Sequence, residues 1–203
     1  MTTSPIPTFE IKDYEEVKRI SQRNYLYESK DGKFVTIKQI DKKDYESEYF
    51  FKNEINLMNI LKGPNSTSFL GANSNSKDYY YIMMEYDNSV NLEKYLNRRS
   101  TFSIREIRYT LDELNKVFKI MNTEKICHRN IKLSNSLISY NNLTNLKVKL
   151  CDYSLSQQLA KENPLNSTQS SINSSFFDLS NIKIDLTRGR QPSSFYCMTP
   201  ETI

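Results

Sequence analysis

The nine residues Cys127-His128-Arg129-Asn130-Ile131-Lys132-Leu133-Ser134-Asn135 contain the only histidine of the sequence, together with a guanidinium, an ammonium and two side-chain amides. A second polar cluster, Asp152-Tyr153-Ser154, follows after a short apolar segment. Functional side chains are often carried on loops that a rigid scaffold positions. We therefore expect these two clusters to lie in loops that face each other and build one site.

The composition is that of a chain large enough for one domain with a core, or for two small lobes: 203 residues, 37% of them hydrophobic. The net charge of +4 is compatible with a phosphate-bearing ligand but far from the basic footprint of a dedicated nucleic-acid binder. Three scattered cysteines without metal-site spacing favour a reducing compartment. No apolar signal region or membrane-length run is present, so we expect a cytoplasmic or nuclear protein with no membrane insertion.

The first 86 residues predict a flexible lead-in over 1–13, then a sheet with one helix. β-Branched and aromatic alternation, with Asp31-Gly32 as a hairpin turn, predicts the strands. They are expected at residues 14–20, 24–29, 34–40, 67–71 and 79–86. The third strand should place Lys38 on the face opposite Val35 and Ile37. A helix is predicted over 43–61, where apolar residues recur at helical spacing, with Glu54 beside that stripe.

A break at Asp87-Asn88-Ser89 separates this part from a second part, residues 87–203. There we predict helices over 92–98 and 104–121, the second with a capping box formed by Ser103 and Glu106. Two short strands follow, at 137–140 and 146–152. The polar stretch from 154 to 194 predicts a long mobile loop.

The order of six motifs identifies a family. They are Val35-Thr36-Ile37-Lys38, Asn53-Glu54-Ile55, Met83-Met84-Glu85-Tyr86, His128-Arg129-Asn130 with Lys132 and Asn135, Asp152-Tyr153-Ser154, and Thr199-Pro200-Glu201. Over residues 14–203 the sequence resembles the eukaryotic protein kinase fold, of the Ser/Thr type. The resemblance implies an α+β, two-lobed fold with a five-stranded antiparallel sheet and one helix in the first lobe and an incomplete, mainly helical second lobe. It also implies further helices after Glu201, so we expect a fragment, a decayed gene product or a chain that a partner completes.

The resemblance implies ATP and Mg²⁺ as cofactors and a protein as partner or substrate. Lys38 would neutralise phosphates, Glu54 would hold Lys38 in place, and Asn135 with Asp152 would bind the metal. Lys132 and Asn130 would lie at the transferred group, with Asn130 at the base position. The remaining nucleotide contacts would come from Thr36, Met84 as gatekeeper, Glu85, Tyr86 and Leu137. The same motif gives His128 a structural role and leaves Arg129 open between binding a phosphorylated residue and a plain loop salt bridge.

Three departures from the family pattern weigh against full activity. Asn130 stands where an aspartate is expected, and an amide cannot accept a proton. No glycine lies between residues 20 and 26, where a glycine-rich loop would cover phosphates and Arg23 is the available charge. Ser154 replaces a glycine and Tyr153 a phenylalanine.

Three hypotheses follow. The first is a kinase-like domain that binds ATP, transfers phosphate poorly or not at all, and serves as a scaffold or regulator in signalling. The second is an active Ser/Thr kinase or a fragment of one. The third is an interaction module without nucleotide. A nucleotide thermal shift separates the third from the others.

Overall fold

A computed structural model describes residues 6–98, 103–140 and 146–159. Its first half is a five-stranded antiparallel sheet in the order β1-β2-β3-β5-β4. The strands are β1 (Tyr14–Arg19), β2 (Asn24–Ser29), β3 (Phe34–Asp41), β4 (Phe69–Asn73) and β5 (Tyr79–Glu85). The turn between β2 and β3 contains Gly32 at a φ of 78°, the left-handed conformation that favours glycine and that Asp-Gly signals in a hairpin.

The two faces of β3 have different partners, as its alternation predicts. Val35 and Ile37 are buried in an apolar cluster with Phe9, Tyr27, Tyr81 and Met83. Lys38 lies on the other face, where it contacts helix α1 (Ser47–Ile60). The sheet therefore presents a charged position toward the helix while its outer face packs as a small core.

The lead-in differs from its prediction, because residues 6–13 pack against the sheet. Ala72 N donates a hydrogen bond of 2.9 Å to Pro7 O, and Asn73 Nδ2 donates one of 2.7 Å to Phe9 O. Phe9 is buried and meets the ring of Tyr14 edge-on. Strand β4 lies at the edge of the sheet, so its backbone groups are available to bond residues 6–13, and the buried ring of Phe9 adds apolar contacts. These interactions hold the segment in place despite the prolines on which the prediction of a flexible lead-in was based. Residues 1–5 lie outside the described part of the chain.

Helix α1 and strand β4 begin later than predicted. Helix α1 begins at Ser47 rather than 43, because Asp41 to Asp44 form a turn in which Lys43 N donates to Asp41 Oδ1 at 2.8 Å. Strand β4 begins at Phe69 rather than 67, because Thr67 N donates at 3.2 Å to Leu150 O in the second half of the chain. Residues 66 and 67 thus join the two halves instead of extending the sheet.

The second half combines helices with two small sheets. Its helices are α2 (Leu92–Arg98) and α3 (Ile104–Thr123), and its strands are β6 (Val90–Asn91), β7 (Ile126–Cys127), β8 (Ser136–Tyr140), β9 (Leu146–Leu150) and β10 (Gln157–Gln158). The sheets pair β6-β8-β9 and β10-β7. A short 3-10 helix, Leu133–Asn135, leads into β8. The capping box of Ser103 and Glu106 is confirmed at the start of α3.

Large apolar residues recur at helical spacing along α3, and the buried ones lie in its C-terminal part. Leu114 and Met121 are in the core, whereas Ile104 is 86% and Leu111 61% exposed. Thr110 and Val117 are the other buried residues of this helix. Helix α3 therefore packs against β9 with the face that contains Thr110, Leu114, Val117 and Met121. This face differs from the one that the large apolar residues alone would indicate.

The architecture confirms the predicted α+β fold, with a five-stranded antiparallel sheet and one helix followed by a mainly helical part. The division into lobes at residue 86 stays a prediction. The 160–194 part of the polar loop and the Thr199–Glu201 motif lie outside the described residues. Within the described ranges, none of the helices is long and apolar enough to cross a membrane.

Candidate functional site

A buried ion pair joins β3 to α1. Lys38 Nζ lies 2.7 Å from Glu54 Oε1 and 2.8 Å from Oε2. Both residues are almost completely buried, at 4% and 1% exposure. Charged residues of this kind are rarely buried unless paired. The strand places Lys38 on the helix side of the sheet, and α1 places Glu54 beside its apolar residues, so the two elements fix the pair.

Asp152 brings the second half of the chain to the same ammonium. Its Oδ1 lies 2.9 Å from Lys38 Nζ. Burial alone would raise the pKa of Asp152, but the charge and hydrogen bond of Lys38 outweigh it and hold the pKa well below the ordinary value. Burial likewise raises the pKa of Glu54 above its ordinary value despite Lys38. Lys38 has a raised pKa, because the two carboxylates outweigh its desolvation, so it remains an ammonium.

The backbone at Asp152 is held in a left-handed conformation, with φ of 67°. Ser154 Oγ donates to Asp152 Oδ1 at 2.8 Å. Tyr153 anchors this turn: it is 1% exposed, and its hydroxyl donates to Leu150 O at 3.1 Å and shares a 2.7 Å hydrogen bond with Ser66 Oγ. The tyrosine at the family's phenylalanine position is thus fully packed with its hydroxyl paired.

The loop containing Asn130 is held by its own polar groups. Asn130 N donates to His128 Nδ1 at 3.3 Å, and Asn135 Nδ2 donates to Asn130 O at 2.9 Å. His128 is buried against the ring of Tyr153 at 5.4 Å. Burial lowers the pKa of His128 to about 4, so the imidazole is neutral at pH 7 and accepts the Asn130 amide proton. His128 therefore organises the loop, as its predicted structural role requires.

The side chain of Asn130 contacts Asp152 directly. Asn130 Nδ2 donates a hydrogen bond of 3.2 Å to Asp152 Oδ2. Asn130 is 6% exposed, and its Oδ1 is a buried oxygen without a hydrogen-bond partner. The two polar clusters of the sequence thus meet through this bond, and the residue at the base position acts as a donor.

Asn135 and Asp152 are the oxygen donors predicted to bind Mg²⁺. Magnesium in phosphate-binding sites uses one or two carboxylates and completes its coordination with substrate phosphates and water. The carboxylate of Asp152 and the amide oxygen of Asn135 fit that minimal donor set, since the Asn135 nitrogen is already engaged with Asn130 O. Among the residues that the structure describes, no group of three or more His, Cys, Asp or Glu forms a stronger metal site.

The side chains of the other predicted site residues make no hydrogen bond or ion pair with Lys38, Glu54 or Asp152 in the described part of the chain. Thr36 pairs with Met84 across β3 and β5, and Tyr86 follows β5. Leu137 lies half-buried on β8, opposite Lys149. Lys132 is half-buried, and its carbonyl accepts a hydrogen bond of 3.0 Å from Asn135 N.

Glu85 has a partner that the sequence analysis missed. Lys149 Nζ on β9 lies 2.7 Å from Glu85 Oε1 and 2.8 Å from Asp87 Oδ2. Lys149 is 9% exposed, so the lysine joins β9 to the segment that links the two halves. The signal for it was weak, because Lys147 and Lys149 occupy the same strand face by alternation and the sequence does not distinguish them.

The turn between β1 and β2 satisfies its own backbone. Ile20 N and Ser21 N both donate to Asn24 O, at 2.8 and 3.0 Å, and the Arg19 guanidinium donates to Ser21 O and Gln22 O. Arg23, expected to supply charge to a phosphate, pairs at 3.0 Å with Asp44. A glycine-rich loop offers free backbone N–H groups to phosphate, and here two such groups are engaged within the turn.

The geometry agrees with a comparison of the sequence with known families. A family model described as the protein kinase domain matches residues 20–176. The chain belongs to the protein kinase domain family. Similar proteins include NUAK family SNF1-like kinase 1 of Homo sapiens, 30% identical over 152 residues that cover 73% of this chain and 21% of the relative. Aurora kinase of Eremothecium gossypii is 29% identical over 158 residues, 74% of this chain and 42% of the relative.

Serine/threonine-protein kinase PLK4 of Danio rerio is 27% identical over 158 residues, 73% of this chain and 16% of that protein. The matched part of this kinase domain chain therefore corresponds to between about one sixth and two fifths of the length of these relatives. Lys38, Glu54, Asn130, Asn135 and Asp152 all fall within the residues that the family model matches.

Proposed function

We propose that this kinase domain binds ATP, that its transfer of phosphate is impaired or absent, and that it acts as a scaffold or regulator in signalling. The observation that carries the proposal is the combination of an assembled Lys38–Glu54–Asp152 network with an amide at position 130. The parts that neutralise charge are in place, and the part that would accept a proton is replaced.

The charge arrangement supports nucleotide binding. Lys38 is a permanent cation fixed on a rigid strand, and its two carboxylate partners set the position of its ammonium. In protein kinases the strand lysine, its helix glutamate and the metal-binding aspartate must be in place together for phosphoryl transfer. Thr36, Met84, Glu85, Tyr86 and Leu137 are the residues we propose for the rest of the nucleotide contact.

The chemistry at position 130 supports a loss of transfer. The family's aspartate orients the substrate hydroxyl and accepts its proton, and general-base catalysis typically contributes about 10² to 10⁴ in rate. Asn130 cannot accept that proton, and its nitrogen donates to Asp152 Oδ2. Lys132 would still place a positive charge near the transferred group. Bound Mg²⁺ would neutralise the phosphate oxygens, with Asp152 and Asn135 as its protein ligands.

A nucleotide thermal shift of the intact chain tests the binding part of the proposal. Occupancy at about 100 times Kd stabilises a protein by roughly 2.7 kcal/mol, so we expect a clear rise in Tm with millimolar ATP. Lys38→Met should abolish the ATP-dependent rise. Lys147→Met removes the same charge from an exposed position and should retain the rise. No rise in the unsubstituted chain would overturn ATP binding.

A second candidate function is an active Ser/Thr kinase, favoured by the intact network around Lys38. Transfer of labelled phosphate to a generic protein substrate decides between it and the first proposal. Turnover at the level of ordinary kinases, about 1–100 s⁻¹, would establish the second candidate. Absent turnover that Asn130→Asp restores would show that the base is the part the chain lacks.

A third candidate is an interaction module without nucleotide, favoured by the self-bonded turn between β1 and β2. It predicts no ATP-dependent thermal shift at all. For all three candidates we propose a protein partner or substrate and a cytoplasmic or nuclear location. The free thiols of Cys127 and Cys151 support a reducing compartment.

A further inference from the structure

The carboxylate of Asp152 already has three donors without any metal. Lys38 Nζ lies 2.9 Å from Oδ1, Ser154 Oγ donates to the same oxygen at 2.8 Å, and Asn130 Nδ2 donates to Oδ2 at 3.2 Å. A carboxylate offers about four lone-pair sites. The two donors at Oδ1 occupy that oxygen, and Asn130 takes one of the two sites on Oδ2. One lone pair of Asp152 thus remains for a cation.

The nature of residue 130 decides how much charge surrounds that lone pair. With Asn130 the contact at Oδ2 is a neutral donor meeting a carboxylate, which is a favourable charge-assisted hydrogen bond. With an aspartate in the same rotamer, two carboxylates would meet at the 3.2 Å of this contact in a site where Asn130 is 6% exposed. Like charges at that separation cannot both stay ionised without a cation between them.

From this contact we infer that the Asn130 amide competes with a divalent cation for Asp152 Oδ2, so that this chain binds such a cation more weakly than it would with an aspartate at position 130. The amide acts in two ways. It removes the second negative charge that would attract a metal, and it competes for the oxygen that would bind one. Asn130 is thus a positioning residue for Asp152.

The effect on nucleotide binding rests on the proposed ATP binding, whereas the competition between Asn130 and a cation at Asp152 concerns the protein alone. The first experiment therefore contains no nucleotide. The intact chain and its variants are titrated with Mn²⁺ and followed by electron paramagnetic resonance, and their Tm values are measured with and without Mg²⁺. Absence of ATP binding would leave these measurements unchanged, so a failure of the proposed function is distinguishable from a failure of this inference.

The central variant is Asn130→Asp, and its control is Asn56→Asp, which adds the same charge at an exposed position of α1. We expect Asn130→Asp to bind Mn²⁺ at least about tenfold more tightly than the unsubstituted chain, the ratio that about 1.4 kcal/mol produces. It should melt lower without Mg²⁺ and recover with it. Equal Mn²⁺ affinity in both variants, or equal Mg²⁺-dependent shifts, would overturn the inference.

Asn130→Ala keeps the test decisive if the aspartate variant does not fold. It removes the donor without adding charge and frees the second lone pair of Asp152 Oδ2. We expect several-fold tighter Mn²⁺ binding than in the unsubstituted chain. Unchanged Mn²⁺ binding by a folded Asn130→Ala variant would show that the amide does not compete with a cation and would overturn the inference.

With nucleotide present, the consequence is measured by the same methods. The ATP-dependent rise in Tm should need a higher Mg²⁺ concentration in the unsubstituted chain than in Asn130→Asp. Equal Mg²⁺ requirements in the two proteins would contradict this consequence even if ATP binding itself holds.

Discussion

The side-chain amide of Asn53 donates a hydrogen bond of 2.8 Å to the carbonyl oxygen of Ser156. Asn53 immediately precedes Glu54 on α1, and Ser156 lies four residues after Asp152. Ser156 in turn donates from its Oγ to His128 O at 3.0 Å. The helix that carries Glu54 is therefore joined to both polar loops of the site by a route independent of Lys38. Asn53 helps to set the position from which Glu54 reaches its partner.

Asn53→Ala should loosen this connection without removing a charge. A buried or half-buried hydrogen bond contributes about 1 kcal/mol to stability, so we expect the free energy of unfolding to fall by about that amount. Amide hydrogen exchange should accelerate in α1 and at Ser156, whose N donates to Tyr153 O. Asn59→Ala, at an exposed position of the same helix, is the control. Equal exchange in the two variants would show that the Asn53 bond does not hold α1.

His128 makes stability depend on pH in a defined window. Burial holds its folded pKa at about 4, below the 6.5 of an ordinary histidine. Between these two values the unfolded chain binds a proton that the folded chain does not. Stability therefore falls as the pH is lowered from 6.5 toward 4, by about 3 kcal/mol in total. Equilibrium urea unfolding at several pH values measures it.

His128→Gln isolates that contribution, because the sequence contains one histidine. The variant keeps a polar side chain but cannot take up a proton in this range. The difference in unfolding free energy between the two proteins should therefore shrink steadily from pH 7 to pH 4. The lowered pKa of Asp152 acts at more acidic pH, where its protonation removes stability in both proteins alike. A difference that is constant between pH 7 and 4 would contradict a neutral, buried imidazole.

Local sequence signals predicted the five strands of the first sheet, whereas β6, β7 and β10 were not predicted. The Asp31-Gly32 turn and the alternation around it determined β2 and the face of Lys38, and motif order brought Lys38, Glu54 and Asp152 into one site. Contacts between distant residues were not readable. Residues 6–13 are held by hydrogen bonds to the edge strand β4. The later start of β4 follows from the hydrogen bond between Thr67 N and Leu150 O. The Asn130–Asp152 bond depends on side-chain rotamers that no spacing encodes.

Lys149 and Lys147 provide a matched pair for the electrostatics of the segment between the two halves. Lys149 is buried between Glu85 and Asp87, whereas Lys147 two residues earlier is exposed. Breaking a buried ion pair costs about 3–5 kcal/mol, but the Glu85 and Asp87 side chains remain 28% and 24% exposed and regain some hydration.

We therefore expect Lys149→Met to lower the free energy of unfolding by about 2 kcal/mol. Lys147→Met should change it by less than about 0.5 kcal/mol, as is usual for exposed substitutions. Urea unfolding at 0.1 M and 1 M salt measures both. Since the pair is largely shielded from solvent, the loss in Lys149→Met should change little with salt. Equal effects of the two substitutions would show that the Lys149 contacts do not stabilise the fold.

The Tyr153 side chain could stabilise the fold through the packing of its ring alone or also through the hydrogen bond of its hydroxyl. Its hydroxyl shares a 2.7 Å hydrogen bond with Ser66 Oγ, and Ser66 is 1% exposed. Tyr153→Phe keeps the ring but leaves the Ser66 hydroxyl without this partner in the core, so we expect a loss of about 1–2 kcal/mol. Ser66→Ala removes the other half of the bond and should cost about 1 kcal/mol.

The double variant should be less destabilised than the sum of the two, because each single substitution already breaks the same bond. We expect a coupling free energy of at least about 0.5 kcal/mol from a double-mutant cycle measured by urea unfolding. Additive losses would mean that the hydroxyl of Tyr153 is satisfied by Leu150 O alone, the acceptor it reaches at 3.1 Å. A positive coupling would instead make Ser66 part of what holds the Asp152 turn in place. Ser66 also forms a backbone bridge with Leu150 on β9, next to the hydrogen bond between Thr67 N and Leu150 O, so this junction between the two halves would then support the site.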